Sequence, residues 1–594
     1  MESSELEIIK TRINKKHQGD EKQLDVIFSP EKRILVEAPA GYGKTHTMVS
    51  RIAYMIASNQ IPAPKRLLAL TFSVNAAYKI KKDVSSNIPV LLAGVGKEIN
   101  IKDKSYISNY HGFCRTVLKK YGQKLHSSLL DLDSLQSIDD SDTSKLMQTF
   151  KNLSLPDAEL LSEFNISVKN IKGKELSEKI DRYNEIVISK LLSKEAIPFN
   201  AIITLTIKLF KDYPNILTFY QNYYTSILVD EFQDTNILSY WLLHYLIVEK
   251  TNVIFLGDSL QRIYGFIGAI PNLLNHATEK YKLKVISLEK NYRFASNPNM
   301  LQLDKIIRQN AITPFANPNS LKSVVEFSVY DEQKTEALEV VKKALATLQN
   351  DKNSKLSILV KQRGINVDYI IETFRINKIP FFYGLFTDDD AKYINFNRKC
   401  LFEFIELIKT KKRVTKKLGK VHFERLKEVF SEDDSAIIQA LFELLDVFWQ
   451  RLFIDYSFLS DEDRINLIKD TFEHNGLKQF MEFLDTKIVI STVHAAKGLE
   501  WDYVILPDME QDLFPNWFGL CGKCNCKTDC NLIIDKKNEF TFLEELSVFY
   551  VAVTRARKKV SFTASRSQMT KNGTWQKNVS CFMKLPGIEI LHIT

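Results

Sequence analysis

The feature that most constrains the fold is a short apolar strand that runs directly into a glycine-rich turn. Arg33 to Glu37 is predicted to be a buried strand, and the sequence Ala-Pro-Ala-Gly-Tyr-Gly-Lys-Thr follows it. Glycines in such a turn let backbone N–H groups close around phosphates, while Lys44 reaches the β and γ oxygens and the Thr45 hydroxyl ligates Mg²⁺. The predicted nucleotide-binding residues of this turn are Ala38, Pro39, Ala40, Gly41, Tyr42, Gly43, Lys44 and Thr45.

A second strand supplies the acidic partner that a phosphate-binding loop needs. Ser226 to Val229 is apolar and ends in Asp230 and Glu231. Asp230 is predicted to hold Mg²⁺, and Glu231 to orient and deprotonate an attacking water. An exposed acidic strand end is the alternative for this pair taken alone, and the presence of Lys44 weighs against it.

The wider pattern predicts two α/β domains, each interrupted by mostly helical sequence. The first contains both strands above and an insertion from about Arg115 to Tyr213, in which the acidic run Asp131 to Asp142 is predicted to be a solvated loop. A second αβ pattern begins near Val325 and is interrupted from about Asp388 to Asp485. Function is expected at the carboxyl edge of a parallel sheet.

Composition excludes a mainly disordered protein and a membrane-spanning one. The 594 residues are 45% hydrophobic and 26% charged, as in ordinary folded proteins, and no apolar run is long enough to cross a bilayer. The first residues mix Glu and Lys without an apolar core, so we expect a cytoplasmic protein with no membrane partner. The net charge of +9 is too small over this surface to identify a polyanionic partner.

The segment Asp230 to Asn236 resembles motif II of the UvrD/Rep/PcrA group of superfamily 1 DNA helicases, and other motifs of that group follow in the expected order. Those motifs are matched by Glu21 to Gln23, Thr71 to Ser73 with Ala76 and Ala77, Tyr110 to Cys114, Gly257 to Phe266, Asn291 to Arg293, Thr492 to Trp501 and Tyr550 to Arg557. The resemblance therefore covers nearly the whole chain.

The resemblance implies two RecA-like P-loop motor domains, each with a helical inserted subdomain. The expected division assigns residues 1–112 and 215–285 to the first motor domain, 113–214 to its insertion, 286–387 and 486–594 to the second motor domain, and 388–485 to a reduced second insertion. The implied activity is an ATP- and Mg²⁺-dependent motor that moves on single-stranded DNA, 3′ to 5′, and separates duplex in repair, recombination or defence.

Residue roles carry over from the matching motifs. Hydrolysis is assigned to Lys44, Glu231, Gln261, Arg293 and Arg555, with the two arginines reaching the γ-phosphate if the domains close on one nucleotide. Gln23 would read the adenine, Tyr292 would stack on it, and Glu500 would accept from the ribose. The residues expected to contact DNA are Phe72, His111, Tyr264, Phe266 and His494, while Trp501 is expected in the core.

Three departures from the family pattern affect the expected binding of DNA. Val74 and Asn75 replace an Asn-Lys pair, Ile267 replaces an arginine, and Leu546 to Val548 replace Arg-Arg-Leu. The second insertion is also short. A basic run from Lys409 to Lys420 is either a contact for duplex phosphates at a single-strand/double-strand junction or a solvated helix face.

Two alternatives to an autonomous helicase follow. One is a DNA-stimulated ATPase or translocase subunit that unwinds poorly alone and serves a nuclease or other protein partner, as in an antiphage defence complex. The other is a scaffold that binds nucleic acid without hydrolysis, which the intact ATP motifs oppose.

Four cysteines lie within ten residues, at Cys521, Cys524, Cys526 and Cys530. Four thiolates at this spacing can close around one tetrahedral Zn²⁺ or one iron–sulfur cluster, and the compact spacing favours zinc. The alternative is a set of reduced free thiols. No family motif supports a metal here.

Overall fold

The computed structural model describes residues 3–95, 101–313, 321–387, 390–411, 413–524, 536–570 and 573–592. The chain divides into two compact units, Met1–Lys290 and Asn291–Thr594. We call them unit 1 and unit 2.

Unit 1 is built on a parallel sheet. Its strands are β1 (Arg33–Glu37), β2 (Arg66–Thr71), β3 (Ser105–Asn109), β4 (Gln136–Ile138), β5 (Ala196–Pro198), β6 (Tyr224–Val229), β7 (Asn252–Gly257) and β8 (Lys284–Ser287). The described strands of the main sheet follow the order β3-β2-β6-β7-β1-β8, all parallel, and β4 pairs with β5 separately.

Helices cover both faces of this sheet, as parallel sheets require. They are α1 (Ser3–Lys16), α2 (Glu21–Phe28), α3 (Lys44–Ala57), α4 (Val74–Leu92), α5 (Ile101–Lys104), α6 (Tyr110–Tyr121), α7 (Thr143–Thr149), α8 (Leu155–Lys169), α9 (Gly173–Ile186), α10 (Phe199–Asp212), α11 (Pro214–Tyr223), α12 (Ile237–Leu246) and α13 (Leu273–Tyr281). Two apolar cores result. One includes Ile34 and Val36 of β1, and the other joins the opposite face to the inserted helices α7 to α10.

Unit 2 repeats the αβ pattern. Its strands are β9 (Ser323–Glu332), β10 (Leu356–Val360), β11 (Phe382–Gly384), β12 (Ile488–Thr492), β13 (Trp501–Leu506), β14 (Ala556–Thr570), β15 (Gly573–Gln576) and β16 (Ile588–His592). The described strands lie in the order β11-β12-β10-β13-β14-β9-β16, mutually parallel, with β15 antiparallel to β14.

The helices of unit 2 include the expected insertion between β11 and β12. They are α14 (Pro298–Ile312), α15 (Gln333–Asn350), α16 (Ile365–Ile376), α17 (Ala391–Lys411), α18 (Lys416–Val429), α19 (Ala436–Ile454), α20 (Asp461–Glu473) and α21 (Glu539–Val553). The predicted α/β class with parallel sheets and helical insertions is confirmed. Trp501 is buried, as expected.

One expectation in unit 1 is wrong. The acidic run Asp131 to Asp142 is not simply a solvated loop, because it contains β4 and because Asp140 is buried. The Asp140 carboxylate accepts hydrogen bonds from Tyr183 Oη at 2.7 Å and Asn165 Nδ2 at 2.6 Å. These partners lie on α9 and α8, so the run is anchored to the inserted helices.

Candidate functional site

The glycine-rich turn joins the carboxyl end of β1 to the first residue of α3, which is Lys44. Gly41 and Gly43 have φ of +85° and +78°, a conformation that glycine adopts without the penalty of a Cβ. Among the described residues no side chain caps this end of α3. Its first amides and the helix dipole therefore favour an anionic ligand in the turn.

Lys44 lies between two carboxylates that follow β6. Its Nζ donates a hydrogen bond to Glu231 and lies 3.5 Å from Asp230 Oδ1. Burial alone would lower the pKa of Lys44, but the charges of Asp230 and Glu231 outweigh it and raise that pKa. Burial raises the pKa of Asp230. The site therefore holds one buried ammonium against two acidic groups.

Glu231 is held in a fixed direction. Its φ is +51°, in the left-handed region that non-glycine residues rarely adopt, and such strain persists where the surroundings impose it. Gln233 Nε2 donates to Glu231 Oε2 at 2.6 Å, and Gln233 Oε1 accepts from the Asp258 amide at 3.1 Å. Asp258 Oδ2 in turn accepts from Gln261 Nε2 at 2.8 Å. A continuous hydrogen-bonded chain thus links Lys44 to Gln261.

Gln233 and Asp258 are functional candidates to which sequence reasoning gave no role. Both lie inside segments that matched family motifs, so the signal was present in the sequence. Their task, connecting the ends of β6 and β7, became visible only in the structure, because the hydrogen bond between them spans 25 positions of the chain.

The donor set at this sheet edge fits Mg²⁺. Thr45 is partly exposed in the first turn of α3, and Asp230 follows β6 at the same edge of the sheet. A hydroxyl and a carboxylate are the hard oxygen ligands that Mg²⁺ takes beside phosphate and water.

Gln23, expected to read adenine, is buried next to the turn. Its Nε2 donates to the Tyr42 carbonyl at 3.2 Å, and its Oε1 faces His17 Nδ1. His17 Nε2 lies 2.8 Å from Ser50 Oγ, so a neutral His17 donates from Nδ1 and accepts at Nε2. Burial lowers the pKa of His17, which favours this neutral form. His17 was not predicted, and it orients the Gln23 amide.

The residues expected to contact DNA fall at several places. Phe72 follows β2, and its ring stacks on that of Tyr264 with centroids 5.2 Å apart and planes 23° apart. Both are partly exposed. His111 is buried and stacks on Phe199 with centroids 3.7 Å apart. The Phe266 side chain lies outside what the structure describes.

In unit 2 three predicted residues, Arg293, Glu500 and Arg555, lie at the amino ends of β13 and β14 and not at the carboxyl edge where function was expected. Arg293 donates to Glu500 and, at 2.6 Å, to the Thr554 carbonyl, while Arg557 Nε donates to Glu500 Oε2 at 3.1 Å. Burial alone would raise the pKa of Glu500, but the neighbouring guanidinium charges outweigh it and lower that pKa. Glu500, expected at the ribose, is here the partner of two arginines.

Arg555 is buried beside this group and is held largely by backbone. Its guanidinium donates to the Val551 and Leu499 carbonyls at 2.9 and 3.1 Å. Tyr292 and His494 are partly exposed in the same unit. The structure thus brings Arg293, Arg555 and Glu500 to one end of the sheet.

The cysteine segment is described only in part. Cys521 is buried, with Sγ 3.2 Å from the Pro515 carbonyl oxygen, and Cys524 is partly exposed. Cys526 and Cys530 lie outside the described residues. The metal assignment stays a prediction.

Two surface properties bear on partners. The exposed residues of the basic run lie between the end of α17 and the first turns of α18, and they are Lys409, Lys411, Arg413, Lys416, Lys417 and Lys420. Lys412 lies outside the described residues. In the described parts of the chain, none of the helices combines the length and apolar character needed to cross a membrane.

Comparison with known proteins gives a consistent result. Residues 20–282 match the family model for the UvrD/REP helicase N-terminal domain, and residues 390–567 match that for the UvrD-like helicase C-terminal domain. The ATP-dependent DNA helicase PcrA of Staphylococcus aureus strain Mu50 is 24% identical over 660 residues, spanning 95% of this chain and 85% of the relative. PcrA of Staphylococcus epidermidis is 24% identical over 657 residues with the same shares covered.

Proposed function

Because the chain belongs to the UvrD/Rep family of ATP-dependent DNA helicases, we propose that it moves 3′ to 5′ along single-stranded DNA and separates the duplex ahead of it. The observation that carries the proposal is the contact of Lys44 with Glu231 and Asp230 at the end of the glycine-rich turn. The proposed setting is the cytoplasm, in DNA repair, recombination or defence.

Each residue of unit 1 has a separate task in hydrolysis. Lys44 and the first amides of α3 bind the phosphates of ATP. Glu231, oriented by Gln233, accepts the proton of the attacking water, and Gln261 responds to the γ-phosphate through Asp258. Thr45 and Asp230 would hold Mg²⁺, which when bound neutralises phosphate charge.

The arginines of unit 2 complete the proposed chemistry. Arg293 and Arg555 stabilise the charge on the transferring phosphoryl group, because a planar guanidinium matches its oxygens. Tyr292 stacks on adenine and Gln23 reads it. Glu500, which now binds Arg293, holds that guanidinium until the ribose competes for its carboxylate.

The domain division is part of the proposal. Residues 1–112 and 215–285, with insertion 113–214, form the first motor domain. Residues 286–387 and 486–594, with insertion 388–485, form the second. The stacked rings of Phe72 and Tyr264 support a DNA track on the first motor domain, to which His111, Phe266 and, on the second, His494 contribute.

The test compares hydrolysis with strand displacement. We expect single-stranded DNA to stimulate ATP hydrolysis and the protein to displace the short strand of a duplex with a 3′ tail but not of one with a 5′ tail. Displacement from the 5′ tail alone would contradict the polarity. No stimulation by DNA would contradict the motor assignment.

A partner-dependent motor is the second candidate, and a specific observation favours it. Val74, which stands where the family pattern predicts the first residue of an Asn-Lys pair, is buried at the start of α4, and neither Asn75 nor Ile267 carries a positive charge. Hydrolysis stimulated by DNA without displacement would support a translocase subunit that serves a nuclease or another protein.

Zinc binding by Cys521, Cys524, Cys526 and Cys530 also remains a proposal. Metal analysis of the full chain should find one zinc ion, and the double variant Cys524→Ser/Cys526→Ser should lose it while Cys581→Ser retains it. Recovery of iron and sulfide would favour a cluster instead. Protein that contains neither metal would contradict both.

A further inference from the structure

Three carboxylates are buried together at the carboxyl edge of the unit 2 sheet. Glu336 lies in the first turn of α15, and Asp508 and Glu510 follow β13. Their exposed fractions are 0%, 6% and 0%, and one carboxylate oxygen from each lies within 4.8 Å of the others. Like charges at such separations repel strongly in a buried setting, so something must compensate them.

The described side chains around this group, which we call the acidic cluster, supply only neutral donors. Glu336 accepts from Thr563 Oγ1 at 2.6 Å and from Asn366 Nδ2 at 3.0 Å. Glu510 Oε1 accepts from Ser565 Oγ at 2.9 Å and Gln568 Nε2 at 3.2 Å. No Lys, Arg or His within the described residues pairs with any of the three.

A second observation points to a ligand. Asn366 is 1% exposed, and its Nδ2 donates to both Glu336 and Asp508, the latter at 2.7 Å. Its Oδ1 is buried and has no hydrogen-bond partner among the described residues, and Glu510 Oε2 is in the same condition. Both atoms are acceptors, and leaving them buried without a partner costs about 1–3 kcal/mol each.

We propose that the acidic cluster, with Asn366, binds one divalent cation of the hard class that prefers oxygen ligands: Mg²⁺, Mn²⁺ or Ca²⁺. Oxygen ligands lie about 2.0–2.6 Å from such ions, so two ligands on opposite sides of one ion are separated by up to about 5 Å. The spacing within the acidic cluster falls inside that limit.

This cation site is separate from the residues assigned to ATP. Glu500 and Arg555 immediately precede β13 and β14, whereas Asp508 and Glu510 lie beyond the opposite end of β13 and Ser565 lies in the second half of β14. The ion would fasten the segment after β13 to the first turns of α15 and α16. Asp508 also has φ of +62°, a costly conformation that a bound ion would help to hold.

The experiment measures Mn²⁺ binding to the full chain without nucleotide. Asp230→Asn serves as the background, because it removes the carboxylate proposed to hold Mg²⁺ in unit 1. After treatment with a chelator, free Mn²⁺ is followed by electron paramagnetic resonance during titration. We expect one Mn²⁺ per chain in Asp230→Asn, and binding at least about tenfold weaker in Asp230→Asn/Glu510→Gln.

A matched variant, Asp230→Asn/Glu432→Gln, changes an exposed glutamate and should bind as the background does. If Asp230→Asn binds no Mn²⁺, or if Glu510→Gln leaves the affinity unchanged, the proposal is overturned and the cluster is compensated by protons. Should Glu510→Gln fail to fold, the thermal midpoint of Asp230→Asn alone decides: a rise with added Mn²⁺ supports the site, and an unchanged midpoint overturns it.

Discussion

Clustered carboxylates lie at the carboxyl edges of both sheets, but their mutual repulsion is compensated differently in the two units. In unit 1 the acidic pair Asp230 and Glu231 faces the ammonium of Lys44. In unit 2 the acidic cluster has hydrogen-bond donors but, among the described residues, no cationic side chain. A carboxyl edge carrying its own cation suits an anionic substrate, whereas an edge with surplus acid suits a metal ion.

The buried charges of the two units also differ in whether they are expected to change partners during function. The Lys44 ammonium pairs with Asp230 and Glu231, and in the proposed mechanism it exchanges these carboxylates for phosphate oxygens when ATP binds. The acidic cluster touches none of the residues assigned to ATP, so its compensation serves the fold. Variants of unit 1 should therefore change hydrolysis, and variants of the cluster should change stability and cation binding.

Lys44→Ala should have the largest effect. It removes the phosphate contact together with the charge that balances Asp230 and Glu231, and we expect DNA-stimulated hydrolysis to fall by about 10³-fold. Steady-state phosphate release measures it. The control is Lys250→Ala, an exposed lysine of unit 1 that lies outside the matched motifs. Hydrolysis at the wild-type rate in Lys44→Ala would remove the basis for assigning the two edges different tasks.

Arg293→Ala should follow, with a loss of about 10²-fold in hydrolysis and little change in the binding of a fluorescent ATP analogue. Arg557→Ala is the matched control, since Arg557 also donates to Glu500 but lies more exposed. Equal losses in the two variants would mean that the arginines act only by holding Glu500.

Asp140 is a buried carboxylate whose hydrogen-bond donors are neutral, so its titration shows whether such donors alone keep a buried carboxylate ionised. Burial raises the pKa of Asp140 from 3.8 to about 6, so the folded state holds the proton more tightly than the unfolded state. The resulting stability is complete below about pH 4 and is lost as pH rises through 6. Wild-type unit 1 should lose up to about 3 kcal/mol over this range relative to Asp140→Asn.

Denaturant unfolding at pH 4.5 and 7.5, followed by a probe in unit 1, measures this difference. Asp139→Asn, the exposed neighbour, is the control and should follow the wild type. An identical pH response in wild type and Asp140→Asn would show that neutral donors suffice to keep such a group ionised. That result would weaken the need for a cation in the acidic cluster.

The smallest predicted effect concerns DNA. Phe72→Ala and Tyr264→Ala should each weaken single-stranded DNA binding by about tenfold, because one stacked base contributes about 1–3 kcal/mol. Fluorescence anisotropy with a labelled oligonucleotide measures it. Phe219→Ala, another exposed aromatic in unit 1, should leave the affinity unchanged. A loss of hydrolysis without DNA in Phe72→Ala would instead place this ring in the ATP site.

The sequence predicted features that are local in the chain. β1 and the glycine-rich turn were located correctly because apolar pattern, glycines and Lys44 lie within thirteen residues. Glu231 was predicted because it closely follows a strand that is apparent in the local sequence. The link from Gln233 to Asp258 was missed because it depends on two strands lying side by side.

Burial that depends on contacts between residues far apart in the chain could not be predicted from the sequence pattern. Asp140 belongs to an acidic run, yet its partner Tyr183 lies 43 positions away. The members of the acidic cluster are separated further still, since the Asp508 amide donates to Glu336 across 172 positions. A run of charged residues predicts solvent exposure where the surroundings are set by neighbours in the sequence. It fails where folding brings distant residues into contact with one member of the run.

The most direct test of the motor assignment is Glu231→Gln, which keeps the size of the side chain and its contact with Gln233 but cannot accept a proton. We expect ATP binding to remain and DNA-stimulated hydrolysis to fall by about 10²- to 10³-fold. Glu289→Gln, an exposed glutamate, should behave as wild type. Hydrolysis by Glu231→Gln at the wild-type rate would contradict the account.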